Sequence, residues 1–153
     1  MANTYSKIYL HLVFAVKHRD AMIPVSQMAR IHQYMARICN DKGHRVMEIG
    51  GTPNHVHMLV SYDMSQTIPY MVRDIKSGVS AMINAERICR CRFEWQKGYA
   101  CISVSYAHVE AVREYIRHQM EHHHGVSLTD EVKRMLEKAG VSYDERYLME
   151  DVR

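Results

Sequence analysis

The segment Asn54-His55-Val56-His57-Met58-Leu59-Val60 holds the first residues able to do chemistry. Alternate residues of a strand share a face. His55 and His57 therefore present two imidazoles on one side, while Val56 and Met58 point to the other. Two such imidazoles can ligate one divalent cation, but the ion needs further donors. A histidine-triad nucleotide hydrolase would want a third histidine at position 59, where this chain has Leu59. The plain alternative is two exposed strand histidines.

The second set lies in residues 109–124, which read as a helix. At ~100° per residue, Gln119 lies about 40° round from Tyr115 and His122 about 20° to the other side, so the three form a polar stripe. Val109, Val112, Ile116 and Met120 form an adjacent apolar stripe able to dock on a sheet. Each polar residue alone reads as surface or edge-of-core. Together with the histidine pair they compose a reaction. Two imidazoles and the Gln119 amide oxygen would hold a divalent cation that polarises a phosphodiester. The Tyr115 hydroxyl would attack phosphorus and form a covalent intermediate. Conserving the bond energy in a phosphotyrosine makes reversible strand transfer the natural outcome, whereas a hydrolase would need only water.

The elements that must position these groups follow from periodicity. Residues 5–16 are β-branched and aromatic with partial alternation, a strand signature. Pro24 suits a helix start, and Met28, Ile31, Met35 and Ile38 continue a helical stripe ending near Gly43. Residues 44–50 and 55–61 read as a hairpin turning through Gly50, Gly51, Thr52, Pro53 and Asn54. Ile68, Met71, Val72, Ile75, Val79, Met82 and Ile83 mark a second helix. Residues 85–98 are irregular, with a short extended piece around Phe93 and Trp95, and 99–105 form a fourth strand. A last helix fits Leu128–Ala139, capped by Ser127 or Thr129 and stopped by Gly140. The order β-α-β-β-α-β is the split-βαβ arrangement. The expected fold is thus α+β, a ferredoxin-like antiparallel sheet with two helices on one face. C-terminal helices follow, one of them carrying Tyr115. One domain spans 1–153, with a core at 1–106, the tyrosine helix at 108–124 and a C-terminal helix and tail at 125–153.

Composition sets the class. Of 153 residues, 47% are apolar and 24% charged, a globular balance. No apolar run is long enough to span a membrane, and no signal peptide is legible, so a cytoplasmic location is expected. Cys39, Cys89, Cys91 and Cys101 fit reduced thiols, and Cys89-Arg90-Cys91 lacks the gap of a common zinc knuckle. Residues 1–124 hold 15 basic and 10 acidic residues, against 5 and 7 in 125–153. Arg87, Arg90, Arg92 and Lys97 form a basic loop suited to phosphates or simply to solvent.

The whole pattern resembles the HUH single-tyrosine transposases of bacterial insertion sequences and their domesticated relatives. The likeness rests on His55-Val56-His57 preceded by Asn54, and on Tyr115-Ile116-Arg117-His118-Gln119 with His122-His123. It also rests on Val13 to Arg19, on Ile75 to Ser80 and on Trp95 to Ser105. Ser77 and Cys101 depart from it, standing where glycine and an aromatic are common. The resemblance implies cleavage and rejoining of single-stranded DNA at hairpin-marked ends, with Tyr115 as nucleophile and His55, His57 and Gln119 binding Mg²⁺ or Mn²⁺. Asn54 and His122 would be accessory, and Lys17, Arg19, Lys76, Arg87, Arg90 and Arg92 would contact DNA. It further implies a homodimer with trans active sites, the tyrosine helix of one chain completing the histidine pair of the other. Two other classes stay open: a single-stranded nucleic-acid binding module using Tyr5, Tyr9 and Tyr62 on an exposed sheet, and a metal-dependent phosphodiesterase using water.

Overall fold

A computed structural model describes residues 4–122 and 125–150, the His122 side chain excepted. Four strands, β1 (Tyr9–Ala15), β2 (Arg45–Thr52), β3 (His55–Ser61) and β4 (Ala100–Val104), form one antiparallel sheet in the order β2-β3-β1-β4. This is the ferredoxin-like order expected from the sequence. Helices α1 (Val25–Asp41) and α2 (Ile68–Ala85) bury Ile31, Met35, Met71, Ile75 and Val79 against Leu12, Phe14, Val56 and Met58 on one face.

The other face is covered as well, which is why β1 is buried at every position. Helix α3 (Val109–Arg117) sets Val109 and Ile116 on Tyr9 and Leu59. Helix α5 (Leu128–Lys138) sets Leu128, Val132 and Leu136 on Val13, Ala15 and Ala100. Ser127 caps α5 by accepting from the Asp130 amide at 3.1 Å. The chain beyond β1 stays extended: Val16 bridges Trp95, and Gln96 N–H donates to the Ala15 carbonyl at 2.7 Å. Among the described residues, no helix is long and apolar enough to cross a membrane.

Two elements differ from expectation. The helix expected over 109–124 breaks at His118 (φ −103°, ψ 24°), and a single turn, α4 (Gln119–His122), follows. The His118 ring nitrogen lies 2.8 Å from the Glu114 carbonyl and closes the last turn of α3. The hairpin is also tighter, because Gly50 and Gly51 belong to β2 rather than to the turn. The reason is space. A Cβ at Gly50 would overlap the Ile116 carbonyl oxygen of α3.

Two predictions follow from this packing. Gly50→Ala is expected to lose about 1–3 kcal/mol in urea unfolding, the usual cost of forced overpacking. A loss within about 0.5 kcal/mol would show that α3 can lift off β2 at little cost. His32 is buried on α1, and burial lowers its pKa from 6.5 to about 4. Its folded form is neutral, so its contribution is present above pH 6.5 and lost as the pH falls toward 4. His32→Leu should flatten the stability–pH curve in that window by about 1.4 kcal/mol per pH unit. An unchanged slope in denaturant titrations would refute the assignment.

Candidate active site

Strand β3 places His55 and His57 on the face covered by α3 and α5, and both rings are fully buried. What stands behind each ring decides which nitrogen faces the site. The Thr52 hydroxyl donates to Asn54 Oδ1 at 2.8 Å, and His55 Nδ1 lies 2.7 Å from the same oxygen. That oxygen accepts, so His55 Nδ1 carries the proton and Nε2 offers its lone pair. His57 Nδ1 lies 2.7 Å from Nε2 of His11, a residue of β1 on the same face. Burial, then the neighbouring His57, lowers the His11 pKa from 6.5 to about 3, so His11 stays neutral.

Three further side chains converge on the two Nε2 atoms. Gln119 Oε1 is 2.9 Å from His55 Nε2. Glu131 Oε1, from α5, is 2.6 Å from His57 Nε2 and 3.9 Å from His55 Nε2. The Tyr115 ring centroid is 5.7 Å from that of His57 and 6.2 Å from that of His11. The Tyr115 hydroxyl hydrogen-bonds to Gln119 and Glu131. Burial first, then the Glu131 charge, pushes this phenol well above its ordinary range, while Gln119 and Arg134 pull the other way.

This donor set fits a divalent cation. His55, His57 and Glu131 each offer one ligand atom, all within 4.8 Å of one another and all buried. A bare imidazole nitrogen facing an amide oxygen at 2.9 Å is two lone pairs in opposition, which a cation between them relieves. A buried carboxylate likewise needs a positive partner. Glu131 and His11 were not foreseen as site residues. The available signals were a carboxylate inside the apolar stripe Leu128, Val132, Met135, and a histidine among the alternate residues Tyr9, Val13 and Ala15.

The remaining expected residues divide. Asn54 stands directly behind His55, and the His122 side chain lies outside the described residues. Arg19 and Arg90 flank a groove that reaches Pro53, beside Asn54. Arg87, Arg90 and Arg92 line the next groove. Lys17 faces Glu94 at 3.9 Å. Lys76 is tied to the loop instead, donating to the carbonyls of Gln96 and Gly98 at 3.0 and 2.5 Å. Tyr9, one aromatic of the binding-module reading, is buried under α3, and Tyr62 stacks on His44. The expected trans completion concerns a second chain, and within this chain the tyrosine helix is already placed. Tyr115 of α3 already stands beside His57 of the same chain, and Arg117 pins α3 to Glu48 of β2 at 3.1 Å.

A family model described as "Transposase IS200 like" matches residues 4–119. The chain belongs to the IS200-like transposases. Two curated relatives, the transposases for insertion sequence element IS200 of Salmonella typhimurium and Salmonella typhi, are each 24% identical over 127 residues. Each alignment covers 79% of this chain and 82% of the relative. Among solved structures, a putative transposase from Deinococcus radiodurans superposes with a TM-score of 0.61 at 21% identity, covering 78% of this chain and 95% of that one. A REP-associated tyrosine transposase bound to a REP hairpin superposes with a TM-score of 0.62 at 13% identity, covering 100% and 98%. These two likenesses establish the fold.

Glu131→Gln is expected to weaken Mn²⁺ binding in calorimetry about ten- to hundredfold, the scale on which changes around a metal alter affinity. Unchanged affinity would remove Glu131 from the ligand set.

Proposed function

We propose that this transposase cleaves and rejoins single-stranded DNA through a 5′-phosphotyrosine at Tyr115, with each site assembled inside one chain. The observation that carries this reading is Tyr115 standing beside His57 with its hydroxyl bonded to Glu131, in the chain that also groups His55, His57 and Glu131. Family membership supports DNA strand transfer, and the hairpin bound to a structural relative supports a hairpin substrate.

His55, His57, Glu131 and Gln119 would hold Mg²⁺ or Mn²⁺, whose charge would polarise the phosphodiester. Tyr115 Oη attacks phosphorus, so the Tyr115–phosphorus bond forms and the bond to the 3′ oxygen breaks. The phenol proton passes to the Glu131 carboxylate, which already hydrogen-bonds to it. The leaving 3′ oxygen takes up a proton and departs as a free hydroxyl. Rejoining reverses the step, with a 3′ hydroxyl attacking the phosphotyrosine. Neutral His11 holds the His57 ring in place from behind. Arg19, Arg87, Arg90 and Arg92, around two grooves of which one reaches Pro53 of the β2–β3 turn, supply contacts to the DNA backbone. Any pairing of two chains would carry two self-contained sites rather than two shared ones.

The test uses labelled single-stranded hairpins with Mn²⁺ and a denaturing gel. Tyr115→Phe and His57→Ala should each lower covalent adduct by at least about a thousandfold. A Tyr115→Phe chain mixed with a His55→Ala/His57→Ala chain should give no adduct. Adduct from that mixture would overturn the single-chain site in favour of a shared one. Turnover surviving in Tyr115→Phe would favour a water-using phosphodiesterase.

A further inference from the structure

A cavity of about 360 Å³ opens between α3 and α5 beside Tyr115 and Glu131, and His11 also lines it. Arg134 and Lys138 of α5 line it together with those two residues. They are four residues apart and so share one helix face. Val112 and Met135 form an apolar wall.

The two cations differ from their neighbours. Lys133 pairs with Glu145 at 3.0 Å, and Arg113 and Arg117 both pair with Glu48 and with acidic residues of α3. Among the described residues, Arg134 and Lys138 form no ion pair. Two cations thus line a pocket that also has an apolar wall and the nucleophile. An anionic group attached to a flat or apolar body matches that combination, and a nucleotide is such a body. The volume falls within the range of small-ligand pockets, ~300–1,000 Å³.

We infer that this cavity seats one nucleotide next to the cleaved phosphodiester, its phosphate held by Arg134 and Lys138 and its sugar and base laid against Val112 and Met135. The inference rests on the transposase reading above and adds a subsite to it. Arg134 and Lys138 are positioning residues: they hold the strand so that the neighbouring phosphodiester meets Tyr115, and they need not touch the reacting atoms.

The probe is a fluorescein-labelled twelve-nucleotide oligothymidylate, followed by anisotropy over a salt series. Arg134→Gln/Lys138→Gln should bind it about tenfold more weakly. Its plot of log affinity against log salt should be shallower by ~0.7, the value for one phosphate of a single strand. Arg134→Lys/Lys138→Arg should restore both. Met135→Trp, which fills the cavity without changing charge, should weaken binding similarly while leaving the salt slope unchanged. Thermal transitions of all variants confirm folding, and Arg134→Gln alone serves if the double variant fails to fold. Full affinity with an unchanged slope in the charge variant overturns the subsite. So does a loss in the charge variant with none in Met135→Trp, which marks long-range attraction alone. Wild-type adduct formation on hairpins is scored separately. If adduct forms while the subsite tests fail, only the subsite falls. If no adduct forms, the phosphotyrosine reading falls and the subsite with it.

Discussion

The contact between the α3 backbone and Gly50 sets where the tyrosine stands. Ile116 is fully buried, and its carbonyl lies where any side chain on residue 50 would be. The helix therefore rides directly on β2, at backbone rather than side-chain distance. Tyr115 precedes Ile116, so lowering the helix brings the phenol down to His57 and His11. The two ion pairs from Arg113 and Arg117 to Glu48 hold the same helix laterally. They are partly exposed and contribute little stability on their own. Their effect is to fix rotation, while Ile116, by apolar burial worth about 2 kcal/mol, fixes depth.

Closing the site from above changes its electrostatics. His55, His57, Gln119 and Glu131 lie under α3, α4 and α5, away from water. In such surroundings the effective penalty for burying an ionised carboxylate is several kcal/mol, and only a positive partner offsets it. A resident cation meets the same need without a titrating proton. It would also act against the Glu131 charge that helps hold the Tyr115 phenol above its ordinary range. The cost of burying the cluster and the reactivity of the tyrosine are therefore one electrostatic problem.

Legibility in the sequence followed the range of the interactions. His55 and His57 were readable because a strand's two-residue period is local and needs no tertiary knowledge. The ferredoxin-like order was readable because helical and strand periods alternate cleanly through residue 104. Tyr115 and Gln119 were readable as a pair, although the helix between them breaks at His118, and their convergence on His55 and His57 owes nothing to an ideal helix. Glu131 was not readable as a site residue, because its place depends on which face of α5 docks and where. Its position inside an apolar stripe did mark it as a residue that the fold would have to bury. His11 required the β1–β3 register, which pairs His11 with Leu59 and so sets it diagonally from His57 on one face.

The last helix supports the proposed single-chain site more directly than the tyrosine itself does. A composite dimer would need α3 to leave its own sheet and cross to a neighbour's. Yet α3 and α5 cover adjacent parts of one sheet face, α3 over Tyr9 and Leu59 and α5 over Val13, Ala15 and Ala100. Moving α3 away would uncover Leu59 and Ile116, both fully buried, and would part Tyr115 from the Glu131 carboxylate that α5 supplies. The proposed ligand set draws on β3, α4 and α5, three segments that meet only when the chain folds back on its own sheet. The apolar stripe of α5 finds its docking surface in the sheet beside the histidines. Covering the sheet and completing the site are then the same folding event.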